Sequence, residues 1–150
     1  LQVQFPAPGA FILTTDFCLL PSITPLLAAE SLILGSSFQD LEVWQRAKAL
    51  AVMACRLLKQ SRSFALKDQI VRSAVSVPSN IAEGAERNSP KEFGLFIGYA
   101  KGSLAELRTQ LMIAAELGEV SQSDSEELLA EAEVISKMLY RLGQSQRSST

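Results

Sequence analysis

A proline inside an otherwise unbroken helical pattern is the strongest constraint in this sequence. The stretch Val77–Gly84 reads VPSNIAEG, and apolar residues keep a helical spacing on both sides of Pro78. Proline in a helix interior costs about 3 kcal/mol and frees the carbonyl four residues earlier, here that of Ala74. Because the apolar phase persists, we predict one helix that continues through Pro78 with a kink. The alternative is a break, with Asn80 capping a new helix and Glu83 completing a capping box.

The two faces of this helix differ in polarity. The apolar face contains Ile70, Val71, Ala74, Val75, Val77, Pro78, Ile81, Ala82 and Ala85. The polar stripe contains Arg72, Ser76, Asn80, Glu83 and Arg87. Glu83 and Arg87 are four residues apart in the order that favours an ion pair. The stripe is therefore either a solvent face with one weak ion pair or a recognition surface whose arginines grip phosphates or carboxylates.

The composition excludes several classes of enzyme site. There is no histidine, which excludes Ser-His-Asp and Cys-His catalysis and the di-iron site built from Glu-x-x-His pairs. Cys18 and Cys55 lie far apart in the chain, which argues against a disulfide framework or a zinc site. We therefore expect no catalytic residue, metal, cofactor or small-molecule substrate, in a cytoplasmic protein with reduced thiols.

The first 37 residues differ from the rest of the chain. They contain four of the six prolines and only two charged residues, and their one long apolar run is interrupted by Glu30. That run is too short to span a bilayer, so we expect no membrane segment. We expect residues 1–37 to be an irregular arm outside the folded unit, consistent with a start site assigned too far upstream.

Helical periodicity is continuous from Phe38 onward. It predicts helices over about 39–60 and 64–87, with a short connection at 61–63. The third helix has Ser89 as N-cap with Pro90 and Glu92 after it, and Gly118 as its stop. Four such helices without a strand signal predict an all-α fold, an antiparallel up-down four-helix bundle over residues 38–143.

The fourth helix is predicted from a similar set of signals. Ser123 and Glu126 form its capping box, and Gly143 ends it. Residues 144–150 then form a polar tail.

Small residues recur on the third helix. Gly94, Gly98 and Gly102 are spaced four residues apart, and each interior glycine costs about 1 kcal/mol relative to alanine. They indicate close approach of another helix, either within the subunit or between subunits; drift on an exposed face is the alternative. Ser103 and Glu106 form a polar flank beside them, and Glu106 could pair with Glu83 for acid–base chemistry, although no nucleophile accompanies them.

Charge is distributed unevenly along the chain, whose net charge is −2. Residues 38–91 carry nine basic and five acidic side chains, a net +4, whereas residues 92–150 carry five basic and nine acidic ones, a net −4. Solvated helix faces would explain this split. Alternatively, a basic face from the first two helices docks on an acidic face of another copy.

Three motifs in fixed order resemble those of a known family. They are DLEVWQ at 40–45, VPSNIAEG at 77–84 and AKGSLAEL at 100–107. Over residues 38–142 the chain resembles the four-helix-bundle proteins encoded by intervening sequences within 23S ribosomal RNA genes. The family is related to the accessory variability protein of diversity-generating retroelements, which works with a reverse transcriptase and nucleic acid.

This resemblance implies a left-handed up-down bundle that assembles as a homopentameric ring. The family motifs and their surroundings would supply the interaction residues, which are Arg72, Ser76, Pro78, Asn80, Glu83, Gly84, Arg87, Gly102, Ser103 and Glu106. We predict a non-enzymatic assembly or scaffold module whose partner is itself. The alternative is a ring that binds RNA through a basic face. Its contacts would be Arg56, Lys59, Arg62, Arg72, Arg87 and Lys91.

Overall fold

Helices account for nearly all of the chain that the structure describes. The computed structural model describes residues 37–60, 63–87 and 89–148. The α-helices in these residues are α1 (Glu42–Leu57), α2 (Phe64–Ala85), α3 (Pro90–Glu116) and α4 (Gln122–Ser148). Short 3-10 turns at Phe38–Asp40 and Leu58–Gln60 flank α1. No strand occurs in these ranges, so the all-α prediction is confirmed.

The start of α1 lies later than predicted. The Ser37 hydroxyl accepts a hydrogen bond from the Gln39 amide and caps the first 3-10 turn. Leu41 then adopts extended backbone angles, φ −70° and ψ 115°, so α1 begins only at Glu42. The predicted N-terminal arm, apart from Ser37, and the two linker residues 61 and 62 lie outside the described residues.

Helix α2 continues through Pro78, as predicted. Two side chains that follow the proline donate to backbone carbonyls that precede it. The Ser79 hydroxyl donates to the Val75 carbonyl at 2.8 Å, and the Asn80 amide donates to the Ser76 carbonyl at 2.8 Å. Asn80 therefore does not cap a new helix, and the predicted alternative of a break is wrong.

The ends of α3 follow the predicted signals. The Ser89 hydroxyl accepts from the Glu92 amide at 3.4 Å, and Pro90 takes the first helical position. At the other end Gly118 has a φ of +71°, the left-handed conformation that terminates helices and that glycine adopts without strain.

The ends of α4 differ from the prediction. The cap is Ser121, whose hydroxyl accepts from the Asp124 amide at 3.1 Å, so Ser123 lies inside the helix. Gly143 does not end α4, which continues to Ser148. A Cβ on Gly143 would lie 3.4 Å from Cγ2 of Ile97, so this glycine lies at a close contact with α3 rather than at a helix end.

The helices pack around one core in an antiparallel arrangement. Helix α1 packs against α2 and α4, and α3 packs against the same two helices, so α1 and α3 occupy opposite corners. Residues that rise in number along α2 meet residues that fall along α3, as the Ser73–Gln110 and Ser76–Ser103 contacts show. The four helices therefore form the predicted antiparallel bundle.

The core contains the predicted apolar stripes. Leu50, Ile81, Leu107 and Ile135 are at most 1% exposed, and burial of each such side chain contributes roughly 1.5–3 kcal/mol. One assignment is wrong: Val75, placed on the apolar face, is 46% exposed.

Candidate functional site

The polar residues of two family motifs meet at the seam between α2 and α3. The Asn80 amide donates to the Ser76 hydroxyl at 3.0 Å, and the Ser76 and Ser103 hydroxyls lie 2.8 Å apart. Ser103 in turn donates to the Tyr99 carbonyl at 3.1 Å. Either serine hydroxyl can be the donor in the contact between Ser76 and Ser103. The chain of bonds is satisfied within the protein, so it acts as an interhelical clamp.

A second polar contact lies deeper in the same seam. The Ser73 hydroxyl donates to Oε1 of Gln110 at 2.7 Å, and Ser73 is only 3% exposed. Sequence reasoning did not single out Ser73. The available signal was its position in the buried phase of α2, between Ile70 and Val77.

Gly84, the last residue of the VPSNIAEG motif, lies at a close contact between α2 and α3. A Cβ built at this position would lie 2.6 Å from Cβ of Phe96 and 2.9 Å from Cδ2 of Phe93. The predicted close approach of a helix to glycine therefore occurs in this subunit, but at Gly84 and not on the predicted stripe.

The three glycines of α3 point away from the core. Within the part of the chain that the structure describes, a Cβ on Gly98 or Gly102 would meet no heavy atom within 4 Å, and one on Gly94 would meet only Cβ of Gln146, at 3.7 Å. The described residues thus provide no tight packing within the subunit at Gly98 or Gly102. Close approach of a second subunit stays a prediction.

The two arginines of the polar stripe are engaged within the protein. Arg87 pairs with Glu83 at 2.7 Å, as the spacing predicts, and lies 5.2 Å from the centre of the Phe96 ring. Arg72 pairs with Asp68 at 2.9 Å. These pairs lie at the surface, where such contacts contribute about 0–1 kcal/mol and exchange readily with a ligand.

Glu83 and Glu106 are not brought together. Glu83 precedes Gly84, which faces Phe96, and Glu106 lies ten residues further along α3, about 15 Å at the helical rise. Acid–base chemistry by this pair has no geometric support.

The predicted nucleic-acid contacts do not form a single patch. Arg56 and Lys59 line a groove between α1 and α2, whereas Lys91 lines another at the start of α3. Arg62 lies outside the described residues.

The groove between α1 and α2 combines an apolar floor with a basic rim. Its floor contains Ala51, Val52, Cys55, Val75 and Pro78. Its rim contains Lys48, Arg56 and Lys59, and none of these has a carboxylate partner among the described residues. Lys48 was missed by sequence reasoning, although its spacing to residues 52, 55 and 59 places it on the same side of α1. The groove itself was missed because Val75 was assigned to the core.

The described residues contain neither a cluster of metal ligands nor a helix that could span a membrane. In these ranges, no three side chains of the His, Cys, Asp or Glu type come together as a metal site. None of the helices between residues 37 and 148 is both long enough and apolar enough to pass through a bilayer.

Comparisons with known proteins give a family match and a similar solved structure. A family model described as 23S rRNA-intervening sequence protein matches residues 39–141. The structure is similar to a crystal structure from Bacteroides thetaiotaomicron, described as a protein of unknown function from the S23 ribosomal protein family. The TM-score is 0.63 at 21% identity, over 67% of this chain and 96% of that chain. No curated protein matches the chain.

Proposed function

Since the chain belongs to the 23S rRNA-intervening sequence protein family, we propose that it is a non-catalytic scaffold that assembles into a homopentameric ring. The family resemblance suggests the ring and its size. The observation that supports self-assembly most strongly is the exposed glycine face of α3. The bundle is then the repeating unit, and its outer surfaces are the functional ones.

Exposed glycines inside a helix need a physical reason. Gly98 and Gly102 each cost the helix about 1 kcal/mol relative to alanine, and no neighbour among the described residues requires them. Gly84 and Gly143, by contrast, each have a neighbouring helix that a Cβ would approach closely. A second subunit that packs backbone to backbone against α3 explains the remaining glycines.

Exposed apolar side chains lie on the same face. Leu95 is 53% exposed and Ile113 is 44% exposed, and their helical spacing aligns them with Gly98 and Gly102. Apolar side chains beside a glycine track favour burial against a partner.

Gly98→Leu tests this proposal. Leucine favours the helix, so the variant should keep its helicity by circular dichroism while its bulk prevents close approach. Light scattering should give five times the chain mass of 16.3 kDa for the unmodified protein and a smaller mass for the variant. Ala130→Leu, at an exposed position of α4 away from this face, is the matched control and should assemble. A Gly98→Leu protein of unchanged mass would contradict the role of this face.

RNA binding is a second candidate function, supported by the rim of the groove between α1 and α2. Lys48, Arg56 and Lys59 are cations free of carboxylate partners among the described residues. Phosphate contacts make affinity fall steeply with salt. An RNA affinity that falls with salt concentration, and is lower in the variant with Arg56→Gln and Lys59→Gln, would support this function. An affinity that changes neither with salt nor with the double substitution would exclude it.

A further inference from the structure

We propose that the groove between α1 and α2 receives the outer face of α3 from a second copy of this chain. The inference rests on the proposed self-assembly. It places two different surfaces, the groove of one copy and the outer face of α3 of the next, in a head-to-tail contact. Such a heterologous contact is the kind that generates rings.

The chemistry of the groove selects its occupant. The floor offers aliphatic carbon and one thiol, with no aromatic ring on which a base could stack and no amide that could read a base edge. The rim adds the three cations Lys48, Arg56 and Lys59. The floor favours an apolar or small-residue surface, and the rim favours carboxylates at its edges. A helix with small residues and acidic flanks meets both requirements.

The outer face of α3 has these properties. Gly102 and Thr109 make it narrow, so its backbone can enter a groove. Glu106 and Glu116 are exposed carboxylates that have no basic partner among the described residues. Lys48 lies 4.9 Å from the centre of the Trp44 ring, but none of the three cations has a carboxylate partner among the described residues. These cations and the two carboxylates on the other surface are complementary in sign.

The two surfaces also lie at the same height along the bundle. Val75 lines the groove, and its neighbour Ser76 contacts Ser103, the residue after Gly102. Since α1 and α3 occupy opposite corners, the groove and this face point in different directions. If one copy is rotated relative to another about an axis parallel to the helices, the groove of the first meets the outer face of α3 of the second. No shift along that axis is needed.

Charge reversal tests the contact. One variant carries Arg56→Glu with Lys59→Glu, and a second carries Glu106→Lys with Glu116→Lys. Each should weaken self-association about tenfold or more, because like charges then face each other. The chain with all four substitutions should recover assembly, since its signs are exchanged but complementary. Lys137→Glu with Arg141→Glu reverses two exposed cations on α4, outside both surfaces, and is the control that should assemble normally.

The outcomes separate this inference from the proposed function. An unmodified protein that stays monomeric would refute self-assembly itself. An unmodified protein that assembles, with a groove variant that assembles equally well, would overturn only the groove contact. Loss of RNA binding in that variant with intact assembly would assign the groove to RNA and would also overturn the inference.

A disulfide test gives independent positive evidence. Thr109 lies one residue from Gln110, which contacts Ser73, so it is near the height of Cys55 in the groove. In a Cys18→Ser background, Thr109→Cys should give oxidised ladders of two or more chains that reductant collapses. Ser123→Cys, on α4, is the control and should give none. Equal ladders from both positions, or none from Thr109→Cys in an assembled protein, would contradict the contact.

Discussion

Individual residues of the family motifs hold α2 and α3 together. Gly84 permits a close approach of α3, and the Asn80, Ser76 and Ser103 side chains form a satisfied hydrogen-bond chain across the seam. The motifs could be read from the sequence, but their role could not. Whether a serine faces solvent or another helix depends on how its helix is rotated about its own axis. A broad apolar arc fits several such rotations, so the sequence does not decide between them.

Replacement of Gly84 by alanine should destabilise the protein. Alanine gains about 1 kcal/mol in helix propensity, but its Cβ would lie 2.6 Å from Cβ of Phe96. Overpacking of this kind costs about 1–3 kcal/mol, so we expect a net loss in urea denaturation. Gly98→Ala, with no such neighbour among the described residues, should be neutral or stabilising when the variants are compared as dissociated subunits at high salt. Equal effects of the two substitutions would contradict the assigned contact.

The Ser76–Ser103 bond predicts coupled mutations. Ser76→Ala and Ser103→Ala should each lower the free energy of unfolding by about 0.5–1.5 kcal/mol. Because they share one bond, the double variant should lose less than the two single losses combined. Losses that add fully, measured by the same denaturation, would mean that the two hydroxyls do not interact.

At the scale of whole helices, sequence periodicity predicts which segments are helical better than it predicts the residues at which each helix begins and ends. The helix through Pro78 followed from the unbroken apolar phase. The start of α4 did not, because Ser121 and Ser123 are each followed by an acidic residue three positions later. Burial of Val120, which is 5% exposed, anchors the chain just before Ser121 and decides between them. Gly143 was misread because glycine also serves close helix packing.

The two serines should respond differently to alanine. Ser121→Ala removes the acceptor for the Asp124 amide, which should cost about 1 kcal/mol of stability. Ser123→Ala should be neutral or slightly stabilising, since alanine is the better helix former. Thermal unfolding of both variants measures the difference, and a larger loss for Ser123→Ala would contradict the cap.

For the molecule as a whole, the opposite charges of its two halves were visible in the sequence, but the unpaired charges were not. Arg46 bonds Glu131 at 2.7 Å, and Arg108 lies 3.2 Å from Glu133, so long-range pairs neutralise part of each half. The cations of the groove rim, on α1 and the 3-10 turn that follows it, have no carboxylate partner among the described residues. These cations face solvent in the isolated subunit, so we expect assembly to weaken as salt screens them.

The molar mass of the unmodified protein, measured by sedimentation equilibrium at low salt, tests the central claim most directly. We predict five times the 16.3 kDa chain mass at micromolar concentration, with dissociation as salt is raised. A mass of one chain at low salt and across the accessible concentrations would contradict self-assembly.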